Sequence, residues 1–263
     1  MAFTLPLAFL CLQLLVLWAG PASIRPVAAH AAMVLGPLCA GLVCVWRARQ
    51  EPEPARGAWR AAAMCLGLWT IGMVLNFWHE QVEHSKDVMY PDAMLAFNLS
   101  DVPLVYLLAS AWQRDNRSLV RWVDGAVALV LGVAYYQLNW KAASSMASVD
   151  QISSSAIIWL LDVLNVYITF GALVRWRAAE VPAERDFFKS LALYSVCSLV
   201  LVNLNNHWIA NNPAFGPEAS SAITASFALL AYFALRRPAQ GEAIRVSPAL
   251  VLTVRGASSM MMA

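Results

Sequence analysis

Apolar runs of about twenty residues follow one another along the chain, broken by short segments where charges and prolines collect. Eight of them are predicted as helices, at 3–20, 26–46, 58–78, 92–112, 121–140, 155–176, 187–208 and 219–235. Each is near the length at which a helix crosses the hydrocarbon core of a bilayer. Positive charge alternates between the connections. Arg47, Arg49, Arg56 and Arg60 lie between spans two and three, and Arg114, Arg117 and Arg121 between four and five. Arg175, Arg177, Arg185 and Lys189 fall between six and seven, and Arg236 and Arg237 follow span eight. The remaining connections hold Arg25, Lys86 and Lys141. This alternation fits the positive-inside rule, which places both termini in the cytoplasm of a bacterial inner membrane.

Composition strengthens the membrane reading. Of 263 residues, 60% are hydrophobic and only 13% charged, and the mean hydropathy is +0.58. A soluble domain carries about 25% charged residues, so too few are present here to cover a soluble surface. The formal charge of +2 is too small to point to nucleic acid. Eleven tryptophans, many near span ends, resemble interfacial belts. All five cysteines lie inside apolar runs without a CxxC pair, so neither a disulfide framework nor a thiolate metal site is expected.

Span one also reads as a signal peptide, which would leave seven spans. It has no basic residue before Arg25, however, and Gly20-Pro21-Ala22 is a poor cleavage site. A weak internal repeat relates spans three and four (68–114) to spans seven and eight (193–237). Each pair passes from an aromatic-containing run through Asn and His residues and a proline-containing loop to an arginine stop. Beyond the bundle of 1–237, residues 238–263 form a short tail, within which 243–254 alternates enough for a brief strand.

Candidate chemistry concentrates in the outer half of the bundle. His79, Glu80, Glu83 and His84 end span three. Helical spacing joins His79 to Glu83 and Glu80 to His84, and His79, Glu83 and His84 offer ligands to a divalent transition metal such as zinc. The other reading is a solvated, hydrogen-bonded helix end. Asp101 lies nine residues into span four, about 14 Å below the outer boundary, with Asn98 one turn away. Asp162 sits at similar depth in span six and continues as a stripe through Asn165 and Thr169. Acids at that depth face a bundle interior or a water-filled cavity, or serve as hydrogen-bonded packing between helices. Asn203 and His207 end span seven, and Tyr135, Tyr136, Gln137 and Asn139 end span five. An outward-opening polar pocket lined by Asn98, Asp101, Asp162, Asn165, Asn203 and His207 accounts for this distribution. No GxSxG, GxxxxGK[ST] or GxGxxG motif occurs.

The order of landmarks resembles the multi-helix N-terminal membrane regions of bacterial GGDEF and GGDEF–EAL signalling proteins, the diguanylate cyclases and their relatives. The residues that carry the likeness are Trp59-Arg60, Gly67-Leu68-Trp69 with Gly72, Tyr90-Pro91-Asp92, Leu161-Asp162-Val163-Leu164 and Arg236-Arg237-Pro238. The resemblance implies a sensory membrane region that signals to a cytoplasmic output domain. This sequence holds no GGDEF, EAL or kinase motif, so catalysis is not expected in it. The expectation is an all-α, polytopic helical bundle. It would bind a small molecule or ion from outside and signal to a cytoplasmic partner, with lipid as its surroundings. A membrane enzyme or transporter using the intramembrane acids, and a structural subunit, are the alternatives.

Overall fold

The structure is a computed structural model that describes residues 4–83, 90–110, 150–209 and 217–236, with positions 130, 132, 133 and 137 between them. Among these residues every regular element is helical. Proline sets where several helices begin. α2 (Arg25–Gln50), α4 (Pro91–Ala109) and α6 (Pro182–Leu204) each carry it in the first turn, where its missing N–H loses no helical bond. α1 is Thr4–Ala19, α3 is Ala55–Phe77, α5 is Asp150–Ala178 and α7 is Thr224–Leu235. A 3₁₀ turn, Pro217–Ile223, leads into α7.

Four helices are long and apolar enough to cross a membrane: Arg25–Gln50, Ala55–Val82, Pro91–Ala109 and Pro182–Ile209. Thr4–Ala19 and Ala219–Leu235 are shorter apolar helices. α5, with 29 residues, coincides with predicted span six. Most of predicted span five, and all of the tail strand, lie outside the described residues. The expected distribution of a membrane bundle is present: apolar outside, polar inside. Leu42, Met64, Val163 and Phe170 are exposed, while Arg47, Asn98, Asp101, Asp162 and Arg175 are buried.

Each helix packs on its chain neighbour in two runs of three, α2–α3–α4 and α5–α6–α7. The runs meet where α2 lies on α7, α4 on α5 and α3 on α6, and α1 packs on α2 and α7. Trp59, Phe187, Phe188, Leu191, Phe227 and Leu230 form the centre of the core, with Trp59 edge-on to Phe187 at 5.0 Å. α1 is fastened by a polar contact. The Gln13 amide donates to the Ser221 carbonyl and hydroxyl at 3.0 and 2.9 Å, and its oxygen accepts from Thr224 at 2.7 Å.

Small residues permit the close approaches. A Cβ built on Gly72 would stand 2.5 Å from the Phe97 ring, which is itself buried with Tyr90 and Ala93 between α3 and α4. Gly72→Val is therefore expected to force that ring from its site and destabilise the protein by about 1–3 kcal/mol. Gly67→Ala has open space around it in a helix interior and is expected to raise the unfolding midpoint slightly. Thermal unfolding of the two detergent-solubilised variants compares them directly.

Candidate functional site

Polar side chains gather at the two ends of the bundle, and the ends differ in chemistry. Arginines mark one. Arg47 lies buried at the last turn of α2, its Nε 2.8 Å from Glu51 and its Nη2 3.5 Å from Asp186 at the start of α6. Its Nη1 donates to the Arg236 carbonyl just past α7, and its guanidinium stands 5.7 Å from the centre of the Trp59 ring. Asp186 also reaches Arg236 at 3.6 Å. Arg175 of α5 does the same work for α4. It donates to the Ser110 carbonyl at 2.8 Å, pairs with Glu184 at 3.1 Å and lies over the Phe188 ring at 4.7 Å. Both arginines thus meet a helix C-terminus, where orphan carbonyls and the helix dipole favour a cation.

Histidines mark the other end. α3 and α6 each widen there into a five-residue π-helical turn, Trp78–Val82 and Asn205–Ile209, and each turn carries a histidine. Such widenings displace side chains from the regular helical register and recur at functional sites. His79 directs Nδ1 to Glu83 at 2.6 Å and Nε2 to Asp92 at 3.0 Å, with its ring stacked on Tyr90. Both ring nitrogens therefore face acceptors, which a doubly protonated imidazole satisfies. Asp92 in turn lies in the first turn of α4, where a carboxylate suits the helix dipole, and accepts from the Ala93 N–H at 2.8 Å. Glu80 accepts from Asn76 at 2.8 Å and faces buried His30 of α2 at 3.3 Å.

The predicted pocket residues divide between two places. His207 Nε2 meets Asp162 Oδ2 at 2.6 Å, joining the π turn of α6 to α5, and the Trp159 ring lies 5.3 Å from that imidazole. Asn98 and Asp101 are both buried on α4. The Asp101 carboxyl lies within electrostatic reach of Cys65 on α3 and Tyr194 on α6. Asn165 and Asn203 are half-buried on α5 and α6, and Asn203 donates to its own helix at the Leu199 carbonyl. Asn98 likewise donates to Met94, at 2.8 Å. Asn98 Oδ1, Asp162 Oδ1, Thr169 Oγ1, Ser195 Oγ and Asn205 Oδ1 are buried with no hydrogen-bond partner among the described residues, as is His30 Nε2 on α2. Leu108 packs against Gly171, and counting back along both helices sets Asn98 level with Leu161 and Asp162.

Of the predicted metal ligands, His79 and Glu83 bond to each other, while His84 lies outside the described residues. Among the described residues no three His, Cys, Asp or Glu side chains are arranged to hold a metal ion. A metal on His79 would displace Glu83 or Asp92 from a ring nitrogen. Two participants were missed in the sequence. His30 was a lone imidazole in an Ala-rich run, and its one signal was a depth matching Glu80. Asp92 was legible as part of a helix start but not as the partner of His79, because the intervening loop hides their proximity. Comparison with family models, curated proteins and solved structures finds no match for the chain.

Two outcomes follow from this geometry. Glu83 is held below the usual carboxylate range, first by its hydrogen bond to His79 and then by the Trp78 indole N–H. A lowered folded value contributes stability above the ordinary carboxylate pKa that disappears as pH falls through the folded value. The unfolding midpoints of the wild type and Glu83→Gln should therefore differ at neutral pH and converge in acid. At the second histidine, His207→Ala strips Asp162 of a charge-assisted bond and is expected to destabilise the protein by about 1–3 kcal/mol. Adding Asp162→Leu should restore part of that loss, because no buried carboxylate is then left unmet; chemical denaturation reads both.

Proposed function

We propose that the protein is an integral membrane ligand-binding module whose histidine end takes a small polar molecule or ion and passes the change to a cytoplasmic partner. The observation that carries this reading is the set of buried oxygens on Asn98, Asp162 and Thr169 without donors. A lipid surround supplies no hydrogen-bond donors, so such acceptors are met by water or by an entering ligand. Beside His30 Nε2, the bare groups on α4, α5 and α6 are oxygens, which favours a ligand rich in N–H or O–H donors, or a cation.

The arginine end lies at the cytoplasmic face in this reading, as the positive-inside rule requires, and the histidine end opens outward. The sensory assignment draws on the likeness to GGDEF-associated membrane regions. A likeness between the two halves supports it as well: α3 and α6 are each 23 residues long and each ends in a five-residue π turn with a histidine. Paired repeats in membrane proteins commonly hold a site between them. That arrangement also favours a second reading, a transporter that moves the same ligand.

The test is a thermal-shift survey of purified protein against simple cations, amines, polyols and amino acids. A ligand of the outer site raises the midpoint of the wild type and loses that effect in Asp162→Asn and Asn98→Leu. Asp101→Ala separates the two acid positions. Unchanged shifts in all three folded variants would overturn the assignment. Uptake of the identified ligand into liposomes decides between sensing and transport.

A further inference from the structure

The charged contacts described above are distributed unequally between the two runs of helices. At the histidine end His30–Glu80, His79–Asp92 and His207–Asp162 each join helices of one run. At the arginine end the contacts cross. Arg47 of the first run holds Asp186 and the Arg236 carbonyl of the second. Arg175 of the second holds the Leu108 and Ser110 carbonyls of the first. The two runs are therefore bound together by charge at one end.

The crossing centre is Asp186. One of its oxygens faces Arg47 and the other Arg236, so a single carboxylate holds guanidinium groups of both runs. The Arg47 and Asp186 side chains are only 2% and 10% exposed. Buried ion pairs add little net stability over apolar packing of the same volume, and their best-attested use is in fixing one arrangement against another. On the α2 side the surface they close is lined by small residues. α2 presents Gly36, Ala40, Cys44 and Ala48 at four-residue spacing, all buried, and Gly36 lies against Thr224 and Phe227 of α7. Small side chains of this kind bring helix backbones close, and small sliding of packed helices is an established route of rearrangement.

We propose that Arg47, Asp186 and Arg236 form a latch that closes the arginine end of the interface between α2–α4 and α5–α7, and that its release lets the two runs part at that end. The latch is independent of any ligand at the histidine end, so it stands or falls separately from the binding reading. It supplies the second arrangement that either a sensor or a transporter needs.

Cys44 is the natural reporter. It is 0% exposed and lies on α2 one turn before Arg47. The measurement is the maleimide labelling rate of full-length protein in which Cys11, Cys39, Cys65 and Cys197 are replaced by serine or alanine. In the parent the rate is slow. Asp186→Asn should raise it on the order of tenfold, the consequence of losing one charge-assisted contact. Arg60→Gln, which removes only the exposed Arg60–Glu53 pair at the same end, should leave it unchanged. A second reporter, Ala93→Cys in a background where Cys44 is also replaced, sits in a site 0% exposed between α3 and α4 of one run. It should stay slow in Asp186→Asn. Equal acceleration at both reporters would mean that Asp186 only maintains the fold, which overturns the latch, as would an unaltered Cys44 rate in Asp186→Asn.

Discussion

Arg47 is a buried guanidinium in a protein whose outer surface is apolar, and the arrangement of three helices follows from how that charge is met. A cation so placed is tolerated only when its donors find acceptors. Glu51 just past α2 and Asp186 of α6 meet it with opposite charge, and the Arg236 carbonyl at the end of α7 accepts a hydrogen bond from it, while the Trp59 ring lies close to the guanidinium. Moving any of these helices along its axis by one turn would separate the guanidinium from its acceptors. Arg175 imposes the same condition on α4, α5 and α6 through Ser110 and Glu184. Helix register at this end is thus set by hydrogen-bonding obligation, while the apolar core around Phe187 and Phe227 sets the spacing.

The opposite end obeys a looser rule. Its histidines pair within one run of helices, and the two π turns carry His79 and His207, which reach Asp92 and Asp162. Oxygens on Asn98, Asp162 and Thr169 are left over. A bundle selected only for stability would match or remove such groups, since each is unfavourable in an apolar surround. In the proposed reading such groups mark a binding region, and the arginine contacts that cross between the runs mark a closing region in the same set of helices.

Much of this was legible in the sequence because the bilayer constrains it so strongly. Apolar runs bounded by prolines gave α2, α4 and α6 to within a few residues, and the arginine-rich connections anticipated that Arg47, Arg175 and Arg236 share one end. The pairing of His79 with Glu83 followed from four-residue spacing, because that contact is local. Contacts between distant segments were not legible. Nothing in the chain announces that His207 closes on Asp162 or that His79 reaches Asp92, since helix packing decides both. The depth argument grouped Asp101 with Asp162, but depth carries no azimuth: Asp101 lies near Cys65 and Tyr194, whereas Asp162 meets His207 at the end of α6. The π turns were equally hidden, for a widened turn has no composition of its own.

The two ends need no special pathway to influence each other. α5 carries Asp162 and Arg175 thirteen residues apart, roughly 20 Å along one helix. α6 carries Asp186 near its start and reaches His207 in the turn that ends it, roughly 30 Å away. An adjustment that repositions the Asp162–His207 pair therefore acts on the same two rigid rods that hold Arg175 and Asp186. Transmission along a helix requires only that the rod tilt or shift as a body, and small sliding of packed helices is an established route of rearrangement. The size of any response is set elsewhere, by how differently a ligand binds the latched and released arrangements. A ligand that bridges α5 and the π turn of α6 alone would bind both arrangements alike, since those helices belong to one run. Coupling demands a contact to the other run as well, and Asn98 of α4, level with Asp162 and with an oxygen unmet, is placed to give it.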